Sequence, residues 1–330
     1  MSLNKTQKIN LIQNYPKIAS INKFTTISTI EIMMTFMGFK PAMAETIFYT
    51  TELKNNLNKI KELARQLGLY LAISKYKYII NSPQGIFEEI PLTSKKMAKI
   101  ILALAKNKTK AQMAADYYHD KMLNSKYGYK FGKLMGYPEC CLKFGNYLNN
   151  NNRDPNNFGY KNPAIESLKR STHFTWQLNV FATSILSHFP CSLTCQKSID
   201  YANKVFECLA VADSNHAESL KKQLTEATSL YWSCVDKILL YGDFKQYALG
   251  FGEIRYNTKD VQIHSDSYYQ KVNLNKINEM KKIATILSRG NKLIVDDKNL
   301  TIYYNKNKIF QRAKDHKYVP VLVKPDIISK

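Results

Sequence analysis

Six cysteines are the side chains of this sequence best suited to metal binding or redox chemistry, and all of them lie between residues 140 and 234. Cys140 and Cys141 are adjacent, and Cys191 and Cys195 are separated by three residues. Thiolate sulfur binds soft and borderline metals, and four thiolates that converge on one point suit Zn²⁺ or an iron–sulfur cluster. We therefore predict that these four cysteines bind one metal centre.

The spacing of the cysteines bears on the identity of the metal. Simple zinc sites use cysteine pairs two to four residues apart, and an adjacent pair beside a Cys-x3-Cys pair departs from that pattern. The departure favours an iron–sulfur cluster, with zinc as the alternative. Pro190 suits the first turn of a helix, which would place Cys191 and Cys195 on one helix face at a helix N-terminus that stabilises thiolates.

The cysteines also fit three alternative roles. Buried cysteine packs as a small apolar side chain, which is the expectation for Cys208 and Cys234 inside amphipathic helix patterns. The four-cysteine set also suits a metal-free thiol oxidoreductase, with Cys191 as the nucleophile. A third alternative is a non-enzymatic basic nucleic-acid-binding module in which the metal is structural, as a closed four-cysteine site would favour.

Two polar residues beside the cysteines are candidates for proton transfer in catalysis. His188 lies three residues before Cys191, and Glu139 immediately precedes Cys140. Histidine and glutamate are common general acids and bases. A separate set occupies positions i, i+3 and i+4 of a predicted helix, a spacing that either binds a metal or forms a solvated face. Its members are Asp116, His119 and Asp120.

The two cysteine motifs resemble those of a known family. Gly-Tyr-Pro-Glu-Cys-Cys at residues 136–141 and Pro-Cys-Ser-Leu-Thr-Cys at residues 190–195 are similar to the Gly-Tyr-Pro-x-Cys-Cys and Pro-Cys-Ser-x-x-Cys motifs of an uncharacterised, largely archaeal domain-of-unknown-function family. The similarity covers residues 110–210. It implies a purposeful cysteine site, and no established activity accompanies it.

Several well-known catalytic motifs are absent from the sequence. It contains no phosphate-binding P-loop, no dinucleotide-binding glycine fingerprint, no His-Glu-x-x-His helix and no Gly-x-Ser-x-Gly elbow. The Cys-x3-Cys-x2-Cys triplet of radical adenosylmethionine enzymes is also missing, because no third cysteine follows Cys195 at that spacing. These absences argue against the corresponding enzyme classes.

The charge of the chain favours a polyanionic partner. Its 330 residues include 48 Lys and Arg against 26 Asp and Glu, for a net charge of +22. Residues 1–136 carry 21 basic and 8 acidic side chains, residues 137–236 carry 9 of each, and residues 237–330 carry 18 and 9. We predict that RNA or DNA binds the basic flanks. A lysine-rich composition from an AT-rich coding sequence accounts for the same charge equally well.

The order of helix and strand patterns predicts an α+β fold with a mainly helical central domain and basic α+β flanks. The predicted division is a basic N-terminal α/β unit over residues 1–109, a helical cysteine-bearing domain over 110–240 and a C-terminal unit over 241–330. Helices are predicted over residues 164–188 and onward to about Leu240. Strands are predicted at residues 292–295, 300–304, 308–311 and 318–323. The spacing of Met97, Ile100, Ile101 and Leu104 predicts a helix.

The cysteine usage and the lack of a long apolar run point to a compartment. No run approaches the roughly 18 apolar residues that a membrane span needs. Six cysteines with this spacing are more typical of intracellular metal or redox chemistry than of a disulfide framework, so the cytoplasm is the predicted location. The leading prediction is a metal-dependent cytoplasmic enzyme, with redox or sulfur chemistry on an anionic or nucleic-acid substrate.

Overall fold

The structure is a computed structural model that describes residues 3–25, 28–80, 87–123, 128–151, 163–171, 174–231, 236–248, 251–265, 274–296, 298–313 and 321–325. It has the predicted α+β composition of helices and antiparallel sheets. Two compact units make up the chain, one of Met1–Lys161 with Asp200–Ala217 and one of Asn162–Ile199 with Glu218–Lys330. The division at residues 109 and 240 stays a prediction.

The helices of the described residues are numbered in chain order. They are α1 (Lys5–Thr25), α2 (Thr29–Met37), α3 (Thr51–Gln66), α4 (Lys108–Leu123), α5 (Gly128–Leu134), α6 (Glu139–Asn151), α7 (Pro163–Lys169), α8 (Gln196–Ala212), α9 (Ser214–Glu226) and α10 (Leu274–Leu287). Short 3₁₀ turns lie at Trp176–Leu178 and Thr258–Asp260. The helix predicted over residues 164–188 is wrong, because α7 ends at Lys169 and the described chain beyond it is mostly irregular.

The first unit contains an antiparallel sheet of five described strands. These are β1 (Ala42–Phe48), β2 (Tyr70–Ile73), β3 (Tyr76–Ile80), β4 (Phe87–Pro91) and β5 (Lys99–Ala105). The strand order is β1-β5-β3-β4, and β2 also pairs with β5. Helix α4 packs on this sheet through Ala111, Ala114 and Ala115, whose small side chains let the helix approach the strands closely.

The helix predicted around residues 97–104 is wrong, because this segment forms β5. Its spacing fits a helix, but the residues from Ile100 to Ala105 are all fully buried. A short apolar run of this kind suits a strand covered on both faces as well as it suits a helix face. The chain pairs it with β1 along all seven residues, from Ala42 opposite Ala105 to Phe48 opposite Lys99.

A buried charged group lies at the α2–β1 connection of the first unit. The Lys40 side chain is 2% exposed, and its ammonium pairs with the Glu31 carboxylate of α2. The same ammonium lies 5.4 Å from the ring centroid of Tyr137, a cation–π contact. Burial, and secondarily the Glu31 carboxylate, raise the pKa of Glu45 on β1 to about 6. One lysine, Lys40, thus lies near two carboxyl groups, those of Glu31 and Glu45.

The second unit contains a larger antiparallel sheet. Its described strands are β6 (Ala227–Tyr231), β7 (Asp236–Ala248), β8 (Phe251–Tyr256), β9 (Gln262–Ser265), β10 (Lys292–Val295), β11 (Asn299–Tyr304), β12 (Asn307–Ala313) and β13 (Val321–Val323). Their order is β12-β11-β10-β8-β7-β6-β13, with β9 also paired to β7. The first three predicted C-terminal strands are confirmed. The fourth is described over Val321–Val323 only, and residues 318–320 lie outside the described residues.

The boundary of the helical region also differs from the prediction. Helix α9 ends at Glu226, and the chain enters β6 at the next residue, so the helices predicted to about Leu240 stop earlier. The buried run Ala227–Tyr231 is a sheet strand. Helix α10 then covers one face of the sheet by packing Met280, Ile283 and Leu287 on strand residues such as Ile254.

Strand β7 is shared by two parts of this sheet. Its first half, up to Tyr241, pairs with β6 and β9, and its second half, from Gly242, pairs with β8. A Cβ atom on Gly242 would lie 1.9 Å from the carbonyl oxygen of Arg255. No side chain fits at that distance, so the changeover between the two halves requires glycine at this position.

Candidate metal centre

The first cysteine motif connects helices α5 and α6 through a short turn. Helix α5 ends in a left-handed turn at Gly136, where φ is +76°, and the Tyr137 N–H donates to the Gly132 carbonyl at 3.0 Å. The Pro138 carbonyl then accepts the first hydrogen bonds of α6, from the N–H groups of Cys141 and Leu142. Cys140 and Cys141 therefore occupy the first turn of α6.

Glycine is required in this connection by close packing as well as by φ. A Cβ atom at Gly136 would lie 2.8 Å from Pro41, and one at Gly132 would lie 2.3 Å from Leu142. Positive φ disfavours any other residue at Gly136. The Gly-Tyr-Pro part of the motif thus fixes where α6 begins and so where its two cysteines lie.

The second cysteine motif is an irregular segment fixed by side-chain hydrogen bonds. The buried Ser167 hydroxyl of α7 donates to the Pro190 carbonyl. The Leu193 N–H donates to the Ser171 hydroxyl at 2.6 Å, and the Thr175 hydroxyl donates to the Leu193 carbonyl at 3.1 Å. These bonds satisfy backbone groups that no helix or strand serves, and they hold the segment between its two cysteines.

The prediction that Pro190 starts a helix is wrong, because α8 begins at Gln196. The Cys195 carbonyl accepts from the N–H groups of Ser198 and Ile199, so Cys195 immediately precedes the helix. Cys191 lies in the irregular segment. The sequence predicts one helix N-terminus beside both Cys191 and Cys195, but in the structure only Cys195 adjoins one. The N-terminus of another helix, α6, contains Cys140 and Cys141.

The four predicted cysteines come together. The Sγ atoms of Cys140, Cys141, Cys191 and Cys195 all lie within 4.8 Å of one another, and those of Cys140 and Cys141 are 3.9 Å apart. Among the described residues, no other group of three or more His, Cys, Asp or Glu side chains is arranged to hold a metal. The cluster is therefore compatible with metal binding.

The four thiols differ in exposure, and three of them lie at the starts of two helices. Cys141 and Cys195 are buried, Cys191 is half-buried and Cys140 is exposed, and none of the four is in a disulfide. The N-terminus of a helix carries partial positive charge, which favours a negatively charged group or site beside it. Three of the four cysteines lie in or directly before the first turn of α6 or α8.

The two predicted proton-transfer residues stand outside the metal-compatible group. His188 Nε2 lies 3.0 Å from the hydroxyl of Ser198, a fully buried residue in the first turn of α8. Glu139 is exposed, and its carboxylate accepts from the Tyr129 hydroxyl, which raises the pKa of Tyr129. The catalytic roles of both residues stay predictions.

The predicted set of Asp116, His119 and Asp120 does not form a metal site in the described part of the chain. His119 instead contacts two residues of the neighbouring strands: its Nδ1 lies 2.9 Å from the Tyr78 hydroxyl and 3.3 Å from the Glu89 carboxylate. Tyr78 and Glu89 are register partners on β3 and β4, an arrangement that spacing along the helix does not reveal. Burial, and then the Glu89 carboxylate, raise the pKa of Tyr78 to about 12.

Cys208 behaves as a packing residue. It is fully buried in α8, and burial raises the pKa of its thiol to about 12, so it stays protonated at neutral pH. Cys234 lies outside the described residues. In the described part of the chain, no helix is both long enough and apolar enough to cross a membrane.

Comparisons of the chain with protein-family models, with curated proteins and with solved structures gave no match. The family resemblance of the cysteine motifs stays a prediction. The function of the chain is therefore inferred from the geometry of the site itself.

Proposed function

We propose that the chain binds one Zn²⁺ ion through Cys140, Cys141, Cys191 and Cys195, and that this ion is structural. The distance between sulfurs carries the proposal. A metal about 2.3 Å from four tetrahedral sulfurs separates each pair by about 3.8 Å. The two α6 sulfurs are 3.9 Å apart, and every pair lies within 4.8 Å.

The same sulfur–sulfur distances favour a single metal ion. The spacing of the cysteines along the sequence instead favours an iron–sulfur cluster. In a cluster, irons and inorganic sulfides lie between the thiolates that bind different irons, which holds those thiolates farther apart than two ligands of one ion. Four tetrahedral thiolates are a typical closed zinc site, in which no position stays open for substrate. Such a site supports the structure of the protein.

The charge of the site fits this assignment. Four thiolates and one Zn²⁺ carry a net charge of −2, and the N-termini of α6 and α8 provide compensating partial positive charge. The proposal requires a reducing compartment such as the cytoplasm, because oxidation of the thiols to disulfides would remove the ligands.

The test is the metal content of the full chain purified without oxygen. We expect about one zinc per chain, with no acid-labile sulfide and no visible absorption, as for a single closed site. Cys141→Ser and Cys195→Ser should each lower the zinc content strongly, whereas Cys208→Ser, a matched change of a buried cysteine outside the cluster, should leave it unchanged. Iron together with sulfide would overturn the proposal in favour of an iron–sulfur cluster. Protein without metal would overturn it in favour of a metal-free dithiol site.

A second candidate, a metal- or thiol-dependent enzyme, is favoured by the exposure of Cys140. An exposed ligand can exchange for water or substrate and so open a coordination position, as catalytic zinc sites require. Alkylation of the metal-loaded chain with iodoacetamide distinguishes the two candidates. Rapid modification at Cys140 with zinc retained supports an open site, and protection of all four cysteines supports the structural one.

A further inference from the structure

The sheet of the second unit has one face that α10 does not cover. Side chains alternate between the two faces of a strand, and Ile254, Leu293 and Ile302 point towards α10. The residues between and beside them project from the opposite face. These include Glu253 and Arg255 on β8, and Lys292 on β10.

Four residues of this opposite face lie side by side across four neighbouring strands. Arg255 is the register partner of Lys292, Lys292 of Tyr303, and Tyr303 of Lys308. We call these four residues the cationic row. Adjacent strands are about 4.8 Å apart, so the row extends over about 14 Å.

The cationic row has more positive charge than its neighbours neutralise. The Glu253 carboxylate lies 3.1 Å from Lys292 Nζ and 3.6 Å from Arg255 Nε, and Asp243 on β7 is the register partner of Arg255, so the three cations of the row have two neighbouring carboxylates. The Arg255 side chain is 72% exposed, and Lys308 is exposed as well. The Lys292 ammonium lies 5.5 Å from the ring centroid of Tyr303, which places an aromatic ring among the cations.

We propose that the cationic row binds single-stranded nucleic acid. Arg255 and Lys308 would neutralise phosphates, and Tyr303 between them would stack on a base, since this combination of cations and an aromatic platform is how single strands are bound without groove reading. A duplex is read by a helix or a two-stranded ribbon that enters a groove, whereas the cationic row lies across the face of four strands. An anionic membrane or an acidic peptide would use the cations but has no base to stack on Tyr303. This proposal goes beyond the zinc site and does not depend on it.

The first test compares two matched pairs of substitutions in the full chain. Arg255→Gln with Lys308→Gln removes two charges from the row, and Lys281→Gln with Lys282→Gln removes two exposed charges from α10, which covers the other face. Binding is measured by fluorescence anisotropy with labelled single-stranded RNA and DNA of about 12 nucleotides, a length within the usual site sizes. Thermal melts establish that each variant is folded.

We expect the row pair to weaken binding about tenfold and to reduce the slope of log K against log salt by about 1.4, because each lost phosphate contact on a single strand contributes about 0.7. The double substitution on α10 should change the affinity less than about twofold, because its two charges are distant from the bound phosphates. Binding of either single strand with this difference supports the proposal. Equal losses in both pairs, or binding only to duplex DNA or to phosphatidylserine vesicles, would overturn it.

The second test concerns the aromatic ring. Tyr303→Leu should weaken binding about tenfold, within the range found when a stacking side chain is removed. Tyr303→Phe keeps the ring and should bind as the unmodified chain does. If Tyr303→Leu binds normally, or if Tyr303→Phe loses as much affinity as Tyr303→Leu, base stacking on this ring is excluded.

Discussion

The cysteine cluster and the Tyr78–His119–Glu89 group are both polar clusters, but they differ in whether their members complement one another. The Tyr78 hydroxyl and His119 Nδ1 are a donor–acceptor pair 2.9 Å apart, and the Glu89 carboxylate lies 3.3 Å from the same nitrogen, with no hydrogen bond to its Oε1 from a described residue. Four thiols within 4.8 Å are chemically alike, and once ionised they repel one another. Four ionised thiols would thus need a cation between them, whereas the Tyr78 hydroxyl and His119 Nδ1 complement each other without one.

If the cysteine cluster holds the proposed zinc, removal of the metal should have the largest effect. We expect a chelator at neutral pH to lower the free energy of unfolding by more than about 5 kcal/mol, since structural zinc contributes about 10–16 kcal/mol in zinc-finger peptides. Calorimetry with and without the chelator measures the change. The Cys208→Ser protein should respond as the unmodified chain does, and Cys195→Ser should be destabilised already and respond little. A chelator without effect on the unmodified chain would mean that the cluster is complete without a cation.

The buried Lys40–Glu31 pair is a complementary cluster that should fail when one member is removed. Lys40→Met leaves the Glu31 carboxylate, whose side chain is only 13% exposed, without its cation, and the expected cost is about 3 kcal/mol. Denaturant unfolding measures it. The double variant Lys40→Met with Glu31→Gln should recover most of the loss, because the uncompensated charge is gone. Lys54→Met, at an exposed position of α3, is the control.

Glu45 is the opposite case, a buried carboxyl group whose negative charge the neighbouring cations do not offset. Its pKa of about 6 lies above the ordinary 4.5 because of burial and then Glu31. The folded chain therefore keeps a proton that the unfolded chain releases, and Glu45 lowers stability progressively as the pH rises from 4.5 to about 6.

Glu45→Gln cannot ionise and should be more stable than the unmodified chain by about 2 kcal/mol at pH 8. The gain should vanish near pH 4, where both forms are neutral. Unfolding at both pH values, with Glu52→Gln at an exposed position as control, measures the difference. A gain that is the same at pH 4 and pH 8 would contradict an ionisation effect.

The smallest expected effect concerns the complementary cluster itself. Tyr78→Phe removes one hydroxyl next to His119 Nδ1 and should cost about 1 kcal/mol, the net value of an ordinary hydrogen bond. Tyr70→Phe, at a residue that is 51% exposed, should cost nothing measurable. A loss of several kcal/mol at Tyr78 would show that this cluster is as dependent on each member as a buried ion pair.

The sequence predicted the members of the cysteine cluster but not the elements that carry them. Two motifs that each contain a pair of cysteines can be recognised in the sequence itself, so the convergence of the four cysteines could be predicted. The helix starts could not, because Pro190 is suited to a first turn but its segment is instead held by hydrogen bonds that Ser167 and Thr175 donate and Ser171 accepts. The hydrogen-bonded residues are 18 to 23 positions apart in the chain.

The same limit applies to the fold. The α+β class and the first three C-terminal strands followed from local patterns, which are strong where apolar and polar residues alternate. Strand β5 was mistaken for a helix, because a fully buried run carries no alternation. The Tyr78–His119–Glu89 group was missed because register pairing, rather than spacing along the chain, brings Glu89 opposite Tyr78.

The glycine at position 242 has a consequence for how the second unit opens. Strand β7 is hydrogen-bonded to β6 and β9 on one side of Gly242 and to β8 on the other. Neither half of the sheet can separate from β7 without disturbing the backbone that the other half uses. The amide protons of both halves should therefore exchange with solvent as one cooperative unit, and an alanine at this position would split that unit into two.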